Sequence, residues 1–160
     1  MEIRAIRDDE ADALGALTVR VYESIGATDE EYTPELRDVR GRVAGGCAVL
    51  VAIAEDGALA GGMTYVPGPG RWADRAADDE AELRMLAVDP RHRRQGIGSA
   101  LVQRCVAMAR AEGRRRLVLL TEDFMADAQR IYLRIGFVRT PARDWAYKPG
   151  VHLMAYVLEL

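Results

Sequence analysis

The stretch RHRRQGIGSA, Arg91 to Ala100, sets three arginines and a histidine against Gly96 and Gly98, and an apolar run follows it. An anion lying against main-chain N–H groups needs all three features: positive charge, a backbone bare of side chains, and the start of a helix. Three phosphate-binding patterns compete for the segment. A Walker loop requires Gly-Lys-Ser/Thr, and no lysine stands there. A dinucleotide fingerprint requires a small residue where Leu101 stands. What remains is Arg93-Arg94-Gln95-Gly96-Ile97-Gly98-Ser99 between a strand end and a helix start, a place where a pyrophosphate fits. Taken alone, the same residues also describe a solvated basic loop whose glycines only make a tight turn.

The flanking elements follow from periodicity. Glu82 to Val88 reads as a strand stopped by Asp89-Pro90, and Ile97, Leu101, Val102, Cys105, Val106 and Ala109 form one apolar helical stripe closed by Gly113. Upstream, Ile3 to Arg7 reads as a strand. Ala13, Leu14, Leu17, Val21 and Ile25 mark a helix, and Pro34 to Val43 a second one, with Thr33 as its N-cap. Cys47 to Ala54 and Ala58 to Val66 flank Glu55-Asp56-Gly57 as a hairpin, and Arg71 to Ala81 reads as a polar loop. Downstream come a buried strand, Leu117 to Thr121, and a helix marked by Phe124, Ala128, Ile131, Tyr132 and Ile135. Two strands, Phe137 to Thr140 and Val151 to Glu159, then flank a loop holding Trp145 and Lys148. The expected fold is α/β: a single domain over residues 1–160, with a mixed, mostly antiparallel sheet of about seven strands flanked by four helices.

Composition narrows the function. Apolar residues make up 49% of the 160, which excludes a disordered chain, and the net charge of −3 argues against nucleic acid as a partner. No apolar stretch reaches membrane-span length, and MEIRAIRDDE has no signal-peptide core, so no membrane partner and a cytoplasmic location are expected. Cys47 and Cys105 lack CxxC spacing and sit in apolar runs, as buried thiols do, and no metal site is expected. Abundant alanine, a single lysine and no asparagine associate with a GC-rich bacterial genome.

With those elements placed, AELRMLAVDPRHRRQGIGSALVQRCVAMA resembles the acetyl-CoA-binding core of the GCN5-related N-acetyltransferases (GNAT family), which carry strand, Q/R-x-x-G-x-G/A, then helix. Ala128, Tyr132 and Gly136-Phe137 match the family's A-x-x-x-Y-x-x-x-G-F signature, and the element order agrees along the whole chain. Two departures stand out: Arg94 where many members have Gly, and Met125 where many have Asn. The resemblance implies an N-acetyltransferase that takes acetyl-CoA as cosubstrate and a small-molecule or peptide amine as acceptor, with room for a homodimer. It implies that Leu86, Ala87 and Val88 present main-chain groups to the pantetheine arm, the N–H near Leu86 facing the developing oxyanion. Arg93, Arg94, Gln95, Gly96, Ile97, Gly98 and Ser99 would hold the pyrophosphate. Tyr132 stands where the family's thiolate-protonating tyrosine stands, its other reading being a core tyrosine. Glu82 stands where several relatives keep a general base, and its other reading is a pairing with Arg84 on the same strand face. His152 is a base only if its strand turns it toward the cleft, and His92 is expected exposed beside the phosphates. The acceptor is expected between Val21 to Val39 and Ala142 to Gly150, near Tyr22, Glu23, Asp29, Glu30, Glu31, Tyr32 and Trp145. The rival reading is a catalytically silent acyl-CoA-binding or regulatory domain of the same fold.

Overall fold

The computed structural model describes all residues, Met1–Leu160. The chain runs β1 (Glu2–Ala5), α1 (Ala11–Ser24), α2 (Thr33–Arg37), α3 (Val39–Ala44), β2 (Ala48–Ile53), β3 (Leu59–Val66), β4 (Glu80–Val88) and α4 (Ile97–Ala111). It continues through β5 (Arg116–Glu122), α5 (Ala126–Ile135), β6 (Val138–Arg139), β7 (Trp145–Lys148) and β8 (Val151–Glu159). All eight strands join one sheet in the order β1-β2-β3-β4-β5-β8-β6, with β7 also paired to β8. Every pairing is antiparallel except β4 with β5. The mixed α/β fold is the expected one. No helix is long and apolar enough to cross a membrane.

The differences from expectation have local causes. The second helix is two short ones, because the Asp38 carboxylate accepts the Gly41 N–H at 2.9 Å and restarts the helix as an N-cap. Thr33 begins α2 and does not cap it; its hydroxyl donates to the Asp29 carbonyl at 2.8 Å. The expected loop around Trp145 contains β7, which adds the eighth strand. The strand expected over Phe137 to Thr140 shrinks to Val138–Arg139, and β4 starts two residues earlier, at Glu80.

Apolar stripes place the layers. Leu14 and Leu17 of α1 pack with Val49 and Val51 on one sheet face, while Leu101, Cys105 and Ala109 of α4 pack with Leu50, Ala52 and Leu119 on the other. Both cysteines are buried free thiols, as expected. Adjacent glycines in β3 let both helix layers close on the sheet: a Cβ at Gly62 would meet Leu14 Cδ1 of α1 at 2.4 Å, and one at Gly61 would meet Ile97 Cγ2 of α4 at 3.1 Å.

A buried ion cluster closes the N-terminal end of β4. Glu80 is 2% exposed, and Arg143 reaches its two carboxylate oxygens at 2.7 and 2.8 Å. Burial alone would raise its pKa, but the Arg143 bond, the Ala77 N–H and nearby Arg116 outweigh that and hold it low. The cluster ties the Arg75–Ala77 loop to the turn before β7.

Overpacking at β3 is directly testable. Gly62→Ala is expected to lower stability by about 1–3 kcal/mol, because Leu14 must move and the Leu50 carbonyl, 3.0 Å from the added carbon, resists. Gly68→Ala, whose added carbon meets nothing closer than 3.9 Å, is the control. Thermal unfolding of both checks this; equal midpoints would contradict the tight α1–β3 contact.

Candidate active site

The β4–β5 ladder is short. It runs from Glu80↔Arg116 to Leu83↔Leu119, after which the strands continue to Val88 and Glu122 without pairing each other. A bulge accompanies the parting. Between Gly62↔Ala87 and Thr64↔Arg84, β4 spends one residue more than β3, and Met85 sits at φ 59. A non-glycine residue in that region costs about 1–2 kcal/mol, and such outliers concentrate at functional sites. From Leu86 to Val88 the β4 edge facing β5 therefore has no ladder, and the main-chain groups on that edge are open to an extended ligand.

Beyond Val88, Asp89 accepts the Arg91 N–H at 2.9 Å and starts a turn that delivers the glycine segment to α4. Arg93, Arg94, Gln95 and Gly96 are exposed, and neither Arg93 nor Arg94 has an acidic partner, whereas Arg91 is spent on Asp89 at 2.8 Å. Arg94 adopts φ 63, the left-handed conformation, which is the physical reason glycine suits that position. Gly96, at φ 76, is the N-cap of α4, and no atom lies within 4 Å of where its Cβ would be. Ile97 and Gly98 are buried and Ser99 half-buried. A Cβ on Gly98 would meet Ile131 Cδ1 at 2.7 Å, so Gly98 admits α5 as well as bare backbone. His92 departs from expectation: it is buried, with Nε2 3.4 Å from Asp56, and so does not sit beside the loop as an exposed cation.

A cavity of about 420 Å³ opens on the other side of the parted strands. Its walls are the α1–α2 segment (Tyr22, Asp29, Tyr32, Glu35), β4 and its preceding loop (Asp74, Glu82, Arg84, Met85), the end of β5 with Phe124 and Met125, and the β7–β8 hairpin (Trp145, Tyr147, Lys148). The expected acceptor segments thus meet in one place, although Glu23, Glu30 and Glu31 do not line it. Lys148 closes one side by pairing with Asp29 and, at 3.3 Å, with Glu31. Met125, standing where many relatives have Asn, accepts the Glu122 N–H on its sulfur at 3.4 Å. His152 points away, since its neighbours Val151 and Leu153 line the cavity while it lies 3.3 Å from Asp144.

Tyr132 lies behind the cavity, only 6% exposed and packed on Phe137 and Tyr156. Its hydroxyl makes no hydrogen bond within the protein. The polar side-chain atoms sealed from solvent without a partner are Arg4 Nε, Arg42 Nε, His92 Nδ1 and Arg114 Nε, so the Tyr132 oxygen retains free space. Burial and the nearby Cys105 raise its pKa, keeping the phenol protonated.

Glu82 is 1% exposed and occupied. Its carboxylate accepts the consecutive N–H groups of Asp74, Arg75 and Ala76 at 2.7–3.1 Å. Burial still raises its pKa. Arg84 does not form the expected pairing; it donates to the Trp72 carbonyl at 2.7 Å and the Tyr32 hydroxyl at 3.2 Å, and lies 3.4 Å from Asp74. Glu82 holds the loop that forms one cavity wall, so the carboxylate expected as the general base is engaged by three main-chain N–H groups.

Comparison with known proteins identifies the architecture. The model of the acetyltransferase (GNAT) family matches residues 11–137. Streptothricin acetyltransferase of Streptomyces lavendulae is 31% identical over 121 residues, covering 74% of this chain and 56% of that protein. Human N-acetyltransferase 8 is 33% identical over 82 residues, covering 49% of this chain and 36% of that protein. The chain thus aligns with between about a third and just over half of the length of these curated relatives. The crystal structure of the PaiA N-acetyltransferase of Thermoplasma acidophilum in complex with coenzyme A superposes with a TM-score of 0.76 at 16% identity, covering 99% of this chain and 98% of that one, a likeness of fold.

The role of Glu82 has a direct check. Glu82→Gln replaces an acceptor oxygen with a donor facing backbone N–H groups, and a loss of about 1–3 kcal/mol is expected. Hydrogen exchange should accelerate at Asp74, Arg75 and Ala76; unchanged protection there would contradict the anchoring role.

Proposed function

The chain belongs to the GNAT acetyltransferase family, and on that premise we propose that it transfers an acetyl group from acetyl-CoA to a cationic primary amine. One observation carries this reading. The unpaired β4 edge runs from the aromatic, acidic cavity to an exposed turn that holds two unpartnered arginines and an open backbone at Gly96. A thioester cosubstrate with a polyanionic tail needs that arrangement: an edge for its extended arm and N–H groups with cations for its phosphates.

The residues fit the group. Leu86, Ala87 and Val88 would bind the pantetheine amides, and the N–H at Leu86 would stabilise charge on the thioester oxygen. Arg93, Arg94 and the N–H groups from Gln95 to Ser99 would take the pyrophosphate. When bound, acetyl-CoA supplies an activated acyl carbon and a thiolate leaving group. Tyr132 holds a proton on a hydroxyl with no competing partner and delivers it to the departing sulfur. Its raised pKa makes it a weaker acid, but the burial responsible also disfavours the thiolate, so the transfer is less uphill than solution values of ~10 against ~8.5 suggest.

The cavity sets the acceptor class. Its carboxylates (Asp29, Glu35, Asp74, Glu82, Glu122) outnumber its cations (Arg84, Lys148), and Tyr22, Tyr32, Trp145 and Tyr147 supply aromatic faces. An ammonium group is favoured there by field and by cation–π contact. The acceptor is accordingly a small molecule or peptide bearing a positive amine.

Thiol release from acetyl-CoA, measured with a panel of cationic amines that includes streptothricin and peptide N-termini, tests the reading. Tight acetyl-CoA binding with no release for any amine would favour the silent acyl-CoA-binding alternative. Tyr132→Phe is expected to lower the single-turnover rate by about 10²-fold. With no hydrogen bond to lose, its melting temperature and acetyl-CoA affinity should hold; an unchanged rate would return Tyr132 to the core. Gly96→Val forces a β-branched residue to φ 76 at the turn, and loss of acetyl-CoA binding by calorimetry is expected.

A further inference from the structure

Five carboxylates line the cavity, and four are engaged. Asp29 holds Lys148 and accepts the N–H groups of Glu31 and Tyr32. Glu35 lies 3.8 Å from Arg71 and 3.9 Å from Arg84, Asp74 lies 3.4 Å from Arg84, and Glu82 holds three N–H groups. The fifth, Glu122, has no hydrogen bond or ion pair to its carboxylate; only its backbone is engaged, with Met125 and Gln129. It is half-buried at the last position of β5.

Its place in the fold is specific. The last paired positions of the parallel ladder are Leu83 and Leu119. Leu86 and Glu122 both lie beyond them on the two arms of the opening, the bulge at Met85 taking up one residue on the β4 side. Leu86 belongs to the arm assigned above to the thioester, so Glu122 is its counterpart on the opposing arm.

We propose that Glu122 is the general base of the acetyl transfer, accepting a proton from the acceptor amine as it attacks. The inference rests on the acetyltransferase reading above. The bound ammonium first loses one proton to solvent, and the nitrogen lone pair so freed forms the C–N bond while the thioester C–S bond breaks. The proton shed by nitrogen passes to a Glu122 carboxylate oxygen, and Tyr132 protonates the thiolate, leaving an amide and a free thiol. Glu122 then gives its proton to solvent, from which the Tyr132 phenolate is reprotonated.

The electrostatic surroundings suit a base. Burial, adjacent Asp123 and Asp29 across the cavity raise the Glu122 pKa. The other charged groups around the cavity are already coupled, Lys148 to Asp29, and Arg84 to Asp74 and Glu35, with Glu82 on the far wall. A base must be unprotonated, so kcat/KM should rise with pH through an acidic limb placed above the ordinary glutamate value, while the amine contributes its own limb at higher pH.

The test takes the best amine from the thiol-release panel and compares the unaltered protein with Glu122→Gln and Glu122→Asp. In Glu122→Gln, turnover is expected to fall about 10²-fold or more and the acidic limb to disappear. The KM for the amine and the acetyl-CoA affinity by calorimetry should stay unchanged. Glu122→Asp should recover part of the lost turnover and restore the limb. A raised KM with turnover and limb intact would overturn the proposal and make Glu122 an acceptor-binding group. An unchanged profile would overturn it outright. No thiol release by the unaltered protein with any amine would overturn the acetyltransferase reading and Glu122 with it, which separates the two failures.

Discussion

The parting of β4 and β5 after Leu83 and Leu119 is the constraint on which the rest of the structure depends. A parallel pair inside a sheet would normally continue until one strand ends, because each broken rung leaves main-chain groups without partners. Here the bulge at Met85 turns β4 away, and left-handed backbone at a methionine is tolerated because Met85 is buried against Val19, Tyr22 and Leu36. The two α4-side elements exploit the opening. Helix α4 starts beyond the end of β4, with its first N–H groups directed to the turn, and α5 brings Tyr132 behind the gap. One local irregularity thus leaves an unpaired strand edge, sets the basic glycine turn beyond it and opens a cavity at once.

Charge placement divides the molecule between scaffold and site. Arg143 and Arg116 neutralise buried Glu80, Arg139 holds Asp144 at 2.5 and 2.6 Å, and Arg4 holds Glu10 at 2.6 and 2.9 Å. Each of these carboxylates has its cation within the protein, so the pairs are spent on the scaffold. Arg93, Arg94 and Glu122 are different in kind: charged, sited at the ends of β-strand arms, and unpartnered within the protein. A charge without an internal partner beside an open space is left free for a ligand, as the charges of the scaffold are not.

Much of the scaffold was legible in the sequence, and the reasons are local. Periodicity placed the three long α-helices and nearly every strand, because 3.6- and 2-residue patterns are written along a single segment. The glycine turn was legible through its residue types. The proposed role of Tyr132 rests on the A-x-x-x-Y-x-x-x-G-F frame, since its helical position alone is that of a core residue. The surroundings of His92 and Glu82 were not legible along the chain, because they are set by Asp56, 36 residues away, and by the loop from Asp74 to Ala76 folding back.

The sequence by itself determined the α/β architecture, the order of its elements and the basic glycine turn, because propensity, alternation and turn chemistry act over a few neighbouring residues. Only the tertiary structure decided which charges are spent and which are free. Glu122 reads as an ordinary polar residue closing a strand, and Arg84 as a partner for Glu82, until the loop before β4 occupies Glu82 and the β7–β8 hairpin brings Lys148 onto Asp29. Pairing of this kind spans more than a hundred residues in the case of Lys148 and Asp29, separated by 119 positions. No pattern along the chain encodes it. Whether a side chain is available for chemistry depends on what the rest of the fold has already bound to it.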